Sequence, residues 1–323
     1  MAKNKLKIGV LFGGKSAEHD VSISSSKNII DALDKNKYQI FPIKIEKNGE
    51  FDLDSVKKMD LIFPVLHGPY GEDGSMQGLL KILGMPFVGP SVLGSALGMD
   101  KDVMKRLFRD ANIPIGKFIT VYAGEKISFE KVKKVLGLPM FIKPANMGSS
   151  VGINKVKNKK EWEEAIKDAF LYDSKIVIEE NINGQEVECS VLGNENPMAS
   201  IVGEIVPKND FYSYKAKYID EDAALLLIPA RLSKTITKKV QNLAIKVFQT
   251  LNCEGMGRVD FFVKKNGEVI VNEINTIPGF TAISMYPKLW EASGIPLSKL
   301  LDRLIELAIE RFERESKLKT TVK

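Results

Sequence analysis

Apolar runs and turn residues alternate through the first third of the chain. Lys7-Ile8-Gly9-Val10-Leu11-Phe12 has the continuous apolar character of a buried strand, Gly13-Gly14 closes it, and residues 21–33 read as a helix. Residues 39–45 and 61–65 are further strand runs. Strands alternating with helices predict βαβ units and a parallel sheet. From Lys101 the pattern changes. A helix to about residue 111 precedes strands near 118–121, 140–143 and 151–156, a helix over 161–170 and a strand over 176–180. From Gln185 the strand runs are longer and hairpin-like, interrupted by a polar, Tyr-rich stretch at 208–222. Helices over 235–251 and 296–314 close the chain. The expected class is α/β, becoming α+β in the C-terminal half.

Two apolar runs late in the chain, Gly257-Arg258-Val259-Asp260-Phe261-Phe262-Val263 and Val269-Ile270-Val271-Asn272-Glu273-Ile274-Asn275, flank Asn266-Gly267. Asn-Gly between such runs is the strongest short-range signal for a two-residue hairpin turn. That turn sets Lys265 opposite Glu268. Counting back along both strands sets Asp260 opposite Glu273 and Arg258 opposite Asn275. Side chains alternate faces along a strand, so these four share one face, while Val259 and Ile274 point the other way. Two carboxylates directly opposite one another destabilise a sheet, and a positive charge between them resolves the conflict. Carboxylate and amide oxygens are hard ligands suited to Mg²⁺ or Mn²⁺. Asp260, Glu273 and Asn275 are therefore candidate metal ligands.

With 323 residues, the chain is long enough for two or three domains. Its formal net charge of +6 comes from dispersed lysines. No basic stripe interleaved with aromatics is present, which argues against a nucleic-acid partner, whereas anionic substrates such as nucleotide phosphates suit the same sign of charge. Cys189 and Cys253 lie far apart and outside any metal-ligand spacing, and read as inert thiols of a reducing cytosol. No apolar stretch reaches membrane-spanning length and the chain enters its first strand directly, so a cytoplasmic location without a membrane partner is expected.

Five further segments carry candidate chemistry. Lys143-Pro144-Ala145-Asn146-Met147-Gly148-Ser149-Ser150-Val151-Gly152 joins two predicted strands. Small residues let backbone N–H groups approach an anion, the lysine adds a point charge and the serines add hydroxyl donors. It reads as a phosphate-covering loop or a plain flexible hairpin tip, and the neighbouring metal hairpin favours the former. Residues 176–182 form an apolar strand ending in Glu179 and Glu180, where backbone groups can meet an adenine edge and Glu186 can accept from ribose hydroxyls. Gly13-Gly14-Lys15-Ser16-Ala17-Glu18 follows the first strand, and ligands of open α/β sheets bind at such strand ends. Glu18 serves there either as a first-turn acid on the helix dipole or as a holder of a substrate ammonium. His67 lies at another strand end, as a structural histidine or a ligand contact. Beyond the hairpin, Gly279 and Ser284 stand at a helix start, where a hydroxyl and free N–H groups suit a carboxylate or where the serine is an N-cap.

Taken together, these segments resemble the ATP-grasp ligases and, within them, the D-alanine–D-alanine ligase family. The resemblance is carried by Gly13-Gly14-Lys15-Ser16-Ala17-Glu18, His67-Gly68, Glu72-Asp73-Gly74, Met99-Asp100-Lys101, Lys143 with Gly148-Ser149-Ser150, Lys215-Ala216-Lys217-Tyr218, and Glu273-Ile274-Asn275-Thr276-Ile277-Pro278-Gly279. It implies three domains at about 1–100, 101–185 and 186–323, with a lid loop at 208–222. It implies that two D-alanines are joined through a D-alanyl phosphate for peptidoglycan synthesis, with a homodimer as the working form. ATP would sit between the central and C-terminal domains, with Lys101, Lys143, Ser149, Ser150 and Lys217 toward its phosphates. Glu179, Glu180, Ile182 and Glu186 would surround adenine and ribose, and Asp260, Glu273 and Asn275 would hold two Mg²⁺ or Mn²⁺ ions. Arg258 would stabilise developing negative charge. Glu18 would hold the first substrate's ammonium, Gly279 and Ser284 would face the second substrate, and His67 and Lys217 would also contact substrate. Ser149 and Tyr218 would link to Glu18 across the cleft. Met147, where some members carry an acid, and Ala282-Ile283, where others are polar, are mild departures. Tyr218 fits an amine acceptor such as D-alanine rather than D-lactate. A D-lactate or D-serine ligase and a non-catalytic nucleotide-binding regulator are the alternatives; the intact Lys143, Arg258, Asp260, Glu273 and Asn275 argue against the regulator.

Overall fold

The computed structural model describes residues 5–207, 224–319 and 321. Strands β1 (Leu6–Gly13), β2 (Tyr38–Ile45) and β3 (Leu61–Val65) pair in parallel in the order β2-β1-β3. Helices α1 (His19–Ala32), α2 (Leu53–Lys57), α3 (Ser75–Ile82) and α4 (Val92–Met99) accompany them. Every residue of β3 is buried, as expected of a parallel strand covered on both faces. Ile8, Val10, Phe63 and Val65 pack on one side with Ile29 of α1, and Leu11, Ile43 and Ile62 pack on the other with Leu80 of α3.

The second sheet is antiparallel, in the order β4-β7-β5-β6. It consists of β4 (Phe118–Tyr122), β5 (Met140–Pro144), β6 (Asn154–Val156) and β7 (Lys175–Glu180), preceded by α5 (Lys101–Asp110). Helices α6 (Phe129–Leu136) and α7 (Lys159–Ala169) bury Val132, Leu136, Trp162 and Ala165 against Ile142, Ile176 and Ile178. The third sheet, order β10-β9-β8-β11-β12, is also antiparallel. Its strands are β8 (Gln185–Gly193), β9 (Met198–Pro207), β10 (Ala224–Leu227), β11 (Gly255–Val263) and β12 (Val269–Asn275). Helix α8 (Lys234–Thr250) covers it with Val240, Ala244, Val247 and Phe248. Helix α9 (Met285–Ala292) follows, and α10 (Leu297–Ser316) returns to the first sheet, where Leu300, Leu301, Leu304 and Ile305 join the cluster of Ile8, Val10 and Phe63.

The parallel first sheet and the α+β remainder match the expected class. Four helices, α2, α3, α4 and α6, were not anticipated; three of them have only eight residues and one has five. The strand expected over 151–156 is shorter, because Ser149, Ser150 and Gly152 adopt positive φ (49°, 62° and 67°) and pairing begins only at Asn154. The hairpin differs in an instructive way. Lys264, not Lys265, bonds to Glu268, and Gly267 at φ +81° closes a three-residue loop. Register is therefore one residue off the two-residue expectation from Val263–Val269 to Phe261–Val271. A β-bulge at Asn272 then restores it, so Asp260 does face Glu273 and Arg258 does face Asn275. The expected lid at 208–222, with Lys217 and Tyr218, lies outside the described residues.

Helix α4 links the first sheet to the third by close approach. A Cβ at Gly94 would stand 2.8 Å from the Asn252 carbonyl oxygen, a backbone atom with little freedom to move. Gly94→Ala is therefore expected to lower unfolding stability by about 1–3 kcal/mol in urea denaturation, the usual cost of overpacking.

Candidate active site

The hairpin face is built by charge pairing across three strands. The Arg258 guanidinium donates to both Asp260 oxygens, from Nε to Oδ1 and from a terminal nitrogen to Oδ2, each at 2.8 Å. Its Nε also lies 2.9 Å from Glu188 Oε2 on the neighbouring β8. Asn275 Nδ2 donates to Asp260 Oδ2 at 3.0 Å. Lys101, the first residue of α5, donates from Nζ to the Met147 carbonyl at 2.7 Å and lies 3.8 Å from Glu273 Oε2. Bidentate guanidinium pairing is the strong form of this interaction.

Two cavities meet at this wall. The larger, about 1190 Å³, is lined by Lys143, Glu179, Glu180, Ile182 and Glu186. The smaller, about 440 Å³, is lined by Glu18, Ser149, Arg258, Asp260, Gly279 and Ser284, among others. Ser150, Glu186, Asn272 and Glu273 line both. In the larger cavity, Lys143 Nζ donates to Glu179 Oε2 at 3.0 Å and Lys105 Nζ stands 3.3 Å from Glu179 Oε1. Burial opposes ionisation of Glu179, but the two lysines prevail and lower its pKa to about 2. Burial likewise works against the Lys143 ammonium, yet Glu179 and Glu273 hold its pKa above the usual lysine value. The Glu180 carboxylate turns to accept from the Lys117 backbone N–H at 2.8 Å.

In the smaller cavity, Glu18 occupies the N-cap position of α1 without capping it, and its carboxylate accepts from Ser149 Oγ. Two glycines make room for it: a Cβ at Gly148 would lie 2.8 Å from Glu18 Oε2, and one at Gly68 closer still. Ser284 is the N-cap residue of α9, yet its hydroxyl accepts from the Thr281 N–H at 2.9 Å and lies 2.8 Å from Thr281 Oγ1 instead of capping its own helix. A Cβ at Gly279 would stand 2.8 Å from Ser284 Oγ, so these two residues are adjacent as expected.

His67 has partners at both ring nitrogens. Nδ1 donates to the Ile277 carbonyl at 3.0 Å, and Nε2 lies 3.4 Å from Ser25 Oγ. Burial lowers its pKa to about 4. Three charged residues were given no role from the sequence. Glu72 is buried and accepts from the N–H groups of Gly68 at 2.8 Å and Ile277 at 3.0 Å. Burial, with Glu18 nearby, pushes its pKa up to about 8. The other two are Glu188 and Lys105. The Glu186-Val187-Glu188-Cys189 alternation was a readable sign that both acids share one face of an otherwise apolar strand. Cys189 and Cys253 are buried and burial raises both thiol pKa values, as expected of inert cysteines.

Among the described residues no group of three or more His, Cys, Asp or Glu side chains is arranged as a metal cage. The hairpin set of Asp260, Glu273 and Asn275 comprises two carboxylates and an amide, oxygen donors that fit Mg²⁺ or Mn²⁺ sharing their remaining positions with phosphate oxygens. No helix among the described residues is long and apolar enough to cross a membrane.

Because His67 stays neutral when folded but takes a proton near pH 6.5 when unfolded, its contribution to stability is lost as pH falls from about 6.5 to about 4. The stability advantage of the wild type over His67→Gln should shrink across that window by on the order of 3 kcal/mol, read by urea denaturation at several pH values. A gap independent of pH would refute the buried neutral ring.

The D-ala D-ala ligase N-terminus family model matches residues 7–56 and 52–90, and the D-ala D-ala ligase C-terminus model matches residues 107–306. The chain is 48% identical to a D-alanine–D-alanine ligase of Oceanobacillus iheyensis over 98% of its own length and 99% of that protein's. It superposes on the solved D-alanine–D-alanine ligase of Coxiella burnetii with a TM-score of 0.88 and 39% identity, over 98% of this chain and 97% of that one. On the Bacillus anthracis D-alanine–D-alanine ligase solved in complex with ATP the TM-score is 0.84 and the identity 33%, over 96% and 99% of the two chains. With both family models matched and full-length likeness in sequence and structure, the chain belongs to the D-alanine–D-alanine ligase family.

Proposed function

We propose that this protein joins two D-alanines into D-alanyl-D-alanine at the expense of ATP, as a step in building peptidoglycan precursors in the cytoplasm. The observation that carries the reading is the placement of Asp260 opposite Glu273, with Arg258 and Asn275 on the same face, at the wall where the two cavities meet. The larger cavity is assigned to ATP: adenine and ribose against Glu179, Glu180, Ile182 and Glu186, phosphates toward Lys143, Lys101, Ser149 and Ser150. The smaller cavity is assigned to the amino acids. Domains at 1–100, 101–185 and 186–323 and a homodimeric working form complete the proposal, with Lys217 and Tyr218 contributed by the 208–222 segment.

In the first step a carboxylate oxygen of the first D-alanine attacks the γ-phosphorus, the bond to the β,γ-bridging oxygen breaks and ADP leaves. Glu18, oriented by Ser149, holds that substrate's ammonium and so aims its carboxylate away from itself, toward the phosphate end. Lys101 and Lys143 balance the phosphoryl charge. Mg²⁺ bound by Asp260, Glu273 and Asn275 would add Lewis-acid stabilisation of the transferred phosphoryl group. In the second step the amine of the second D-alanine attacks the acyl carbon, the amide forms, phosphate departs and the amine loses a proton. Arg258 lies where negative charge develops on the tetrahedral oxygen. Its clamp by Asp260 and Glu188 fixes its direction beforehand. The uncapped start of α9, with Ser284 and Gly279, receives the second substrate's carboxylate, which the positive end of a helix favours.

The decisive assay is D-alanine-dependent phosphate release from ATP. Release is expected with Mg²⁺ present and lost when it is chelated; no release with all components present rejects the reading. Glu273→Gln should lower turnover by about 10³-fold, since a phosphoryl-site metal contributes several kcal/mol, while circular dichroism stays native. Offered D-alanine, D-serine and D-lactate together at neutral pH, the enzyme should make chiefly D-alanyl-D-alanine; a predominance of depsipeptide would overturn the acceptor assignment.

A further inference from the structure

We propose that Lys105 is a positioning residue that secures the β12 bulge and thereby sets the direction of the Glu273 carboxylate. The inference rests on the reading of Glu273 as a metal ligand. Lys105 lies one helical turn after Lys101 on α5, so both ammonium groups leave the same helix face. They meet consecutive residues of β12: Lys101 approaches the Glu273 carboxylate, and Lys105 Nζ donates to the Asn272 carbonyl at 3.2 Å. Asn272 is the extra residue of the bulge, skipped between the Phe261–Val271 and Asp260–Glu273 pairs. The extra residue of a bulge is left out of the strand ladder, so its backbone groups need partners from elsewhere. Lys105 supplies one, and the Pro114 carbonyl takes the adjacent Val271 N–H at 2.8 Å.

This fastening has a consequence for the site. Without the bulge the register of the loop half of the hairpin would run on unchanged, and a slip of one residue exchanges the two faces of a strand. Glu273 would no longer oppose Asp260. Lys105 is only 2% exposed, and its ammonium stands between the Asn272 carbonyl and Glu179 Oε1 at 3.3 Å. A neutral donor could bond to the carbonyl; only a cation also balances the buried Glu179. The same group therefore ties the hairpin to the wall of the nucleotide cavity. The competing account is a buried ion pair that serves Glu179 alone, and it makes a different prediction for metal affinity.

The test is Mn²⁺ binding, followed by the electron paramagnetic resonance signal of free Mn²⁺ in the presence of the β,γ-imido analogue of ATP and without turnover. Lys105→Met should weaken Mn²⁺ binding at least tenfold, and Lys105→Arg, which keeps a charged donor, should recover most of the loss. Because Lys105→Met leaves Glu179 without one of its two cations and risks unfolding, the second comparison is Lys105→Met/Glu179→Gln against Glu179→Gln alone. There the unpaired buried charge is gone while the Asn272 carbonyl still lacks its donor. Positioning predicts the same tenfold or greater loss in the double variant. Equal Mn²⁺ affinity in that pair would overturn the inference and leave Lys105 as the counter-charge of Glu179. Failure of the wild type to bind Mn²⁺ with the nucleotide analogue would instead overturn the metal reading on which the inference stands.

Discussion

Repulsion between Asp260 and Glu273 is the constraint around which the site is organised. The two carboxylates face each other across adjacent strands, on a face that is only partly open to solvent. Each such charge has lost part of its hydration and must recover it from neighbours. Arg258 does so for Asp260 through two parallel hydrogen bonds, and Lys101 approaches Glu273 from the start of α5. Glu188 then offsets the guanidinium from the far side. Each of the facing carboxylates is thus balanced from its own side, Asp260 by Arg258 within β11 and Glu273 by Lys101 of α5. In the proposed reaction an incoming cation or polyphosphate shifts this balance at its centre.

A second constraint joins the ends of the chain. The C-terminal α10 buries its leucines in the core of the first sheet, so loops from the N-terminal third are pressed against the segment that leaves the β11–β12 hairpin. Ile277 records this contact. Its N–H is held by Glu72 and its carbonyl by His67, both from the loop after β3. Phe280, three residues on, donates its N–H to Ser25 Oγ of α1 at 3.2 Å. The segment carrying Gly279 is therefore fixed by residues more than 200 positions away in sequence, and core packing sets its distance from the loop after β3.

How far the sequence foretold this depends on the range of the interaction. Alternation along β11 and β12 is local, and it placed Asp260, Glu273, Arg258 and Asn275 on one face. The pairing was reached through a two-residue turn that does not form; a longer loop and a bulge shift the register in opposite directions and cancel between the loop and the site. The Gly-Ser-Ser loop was legible because small residues have few other uses between strands. Short helices such as α3 and α4 were not, since eight residues hold barely two turns and are stabilised by packing rather than by their own propensity. Ser284 read equally well as a cap, and only the Thr281 hydrogen bonds exclude that use. Glu72 gave no local sign at all, because its environment is made by Gly68, Ile277 and Glu18 from three separate segments.

The distribution of charge along the joined cavities follows from these placements and gives the site a direction. Lys143 lines the larger cavity, whereas Lys101 lines the smaller one together with Glu18 and Glu72, on the side of Glu273, which borders both. Burial and the neighbouring Glu18 raise the pKa of Glu72, because both disfavour a second negative charge there. Glu72 is held by the Gly68 and Ile277 N–H groups, and Glu18 is the acid that the proposed binding mode turns toward an ammonium. In the proposed binding mode an amino acid, positive at one end and negative at the other, satisfies Glu18 and the lysines in only one orientation, with its carboxylate toward the phosphates. Reversal would bring carboxylate to carboxylate in a poorly hydrated space, where like charges a few ångströms apart cost several kcal/mol. In the proposed binding mode the first D-alanine is thus oriented by Glu18 on one side and the cations Lys101 and Lys143 on the other.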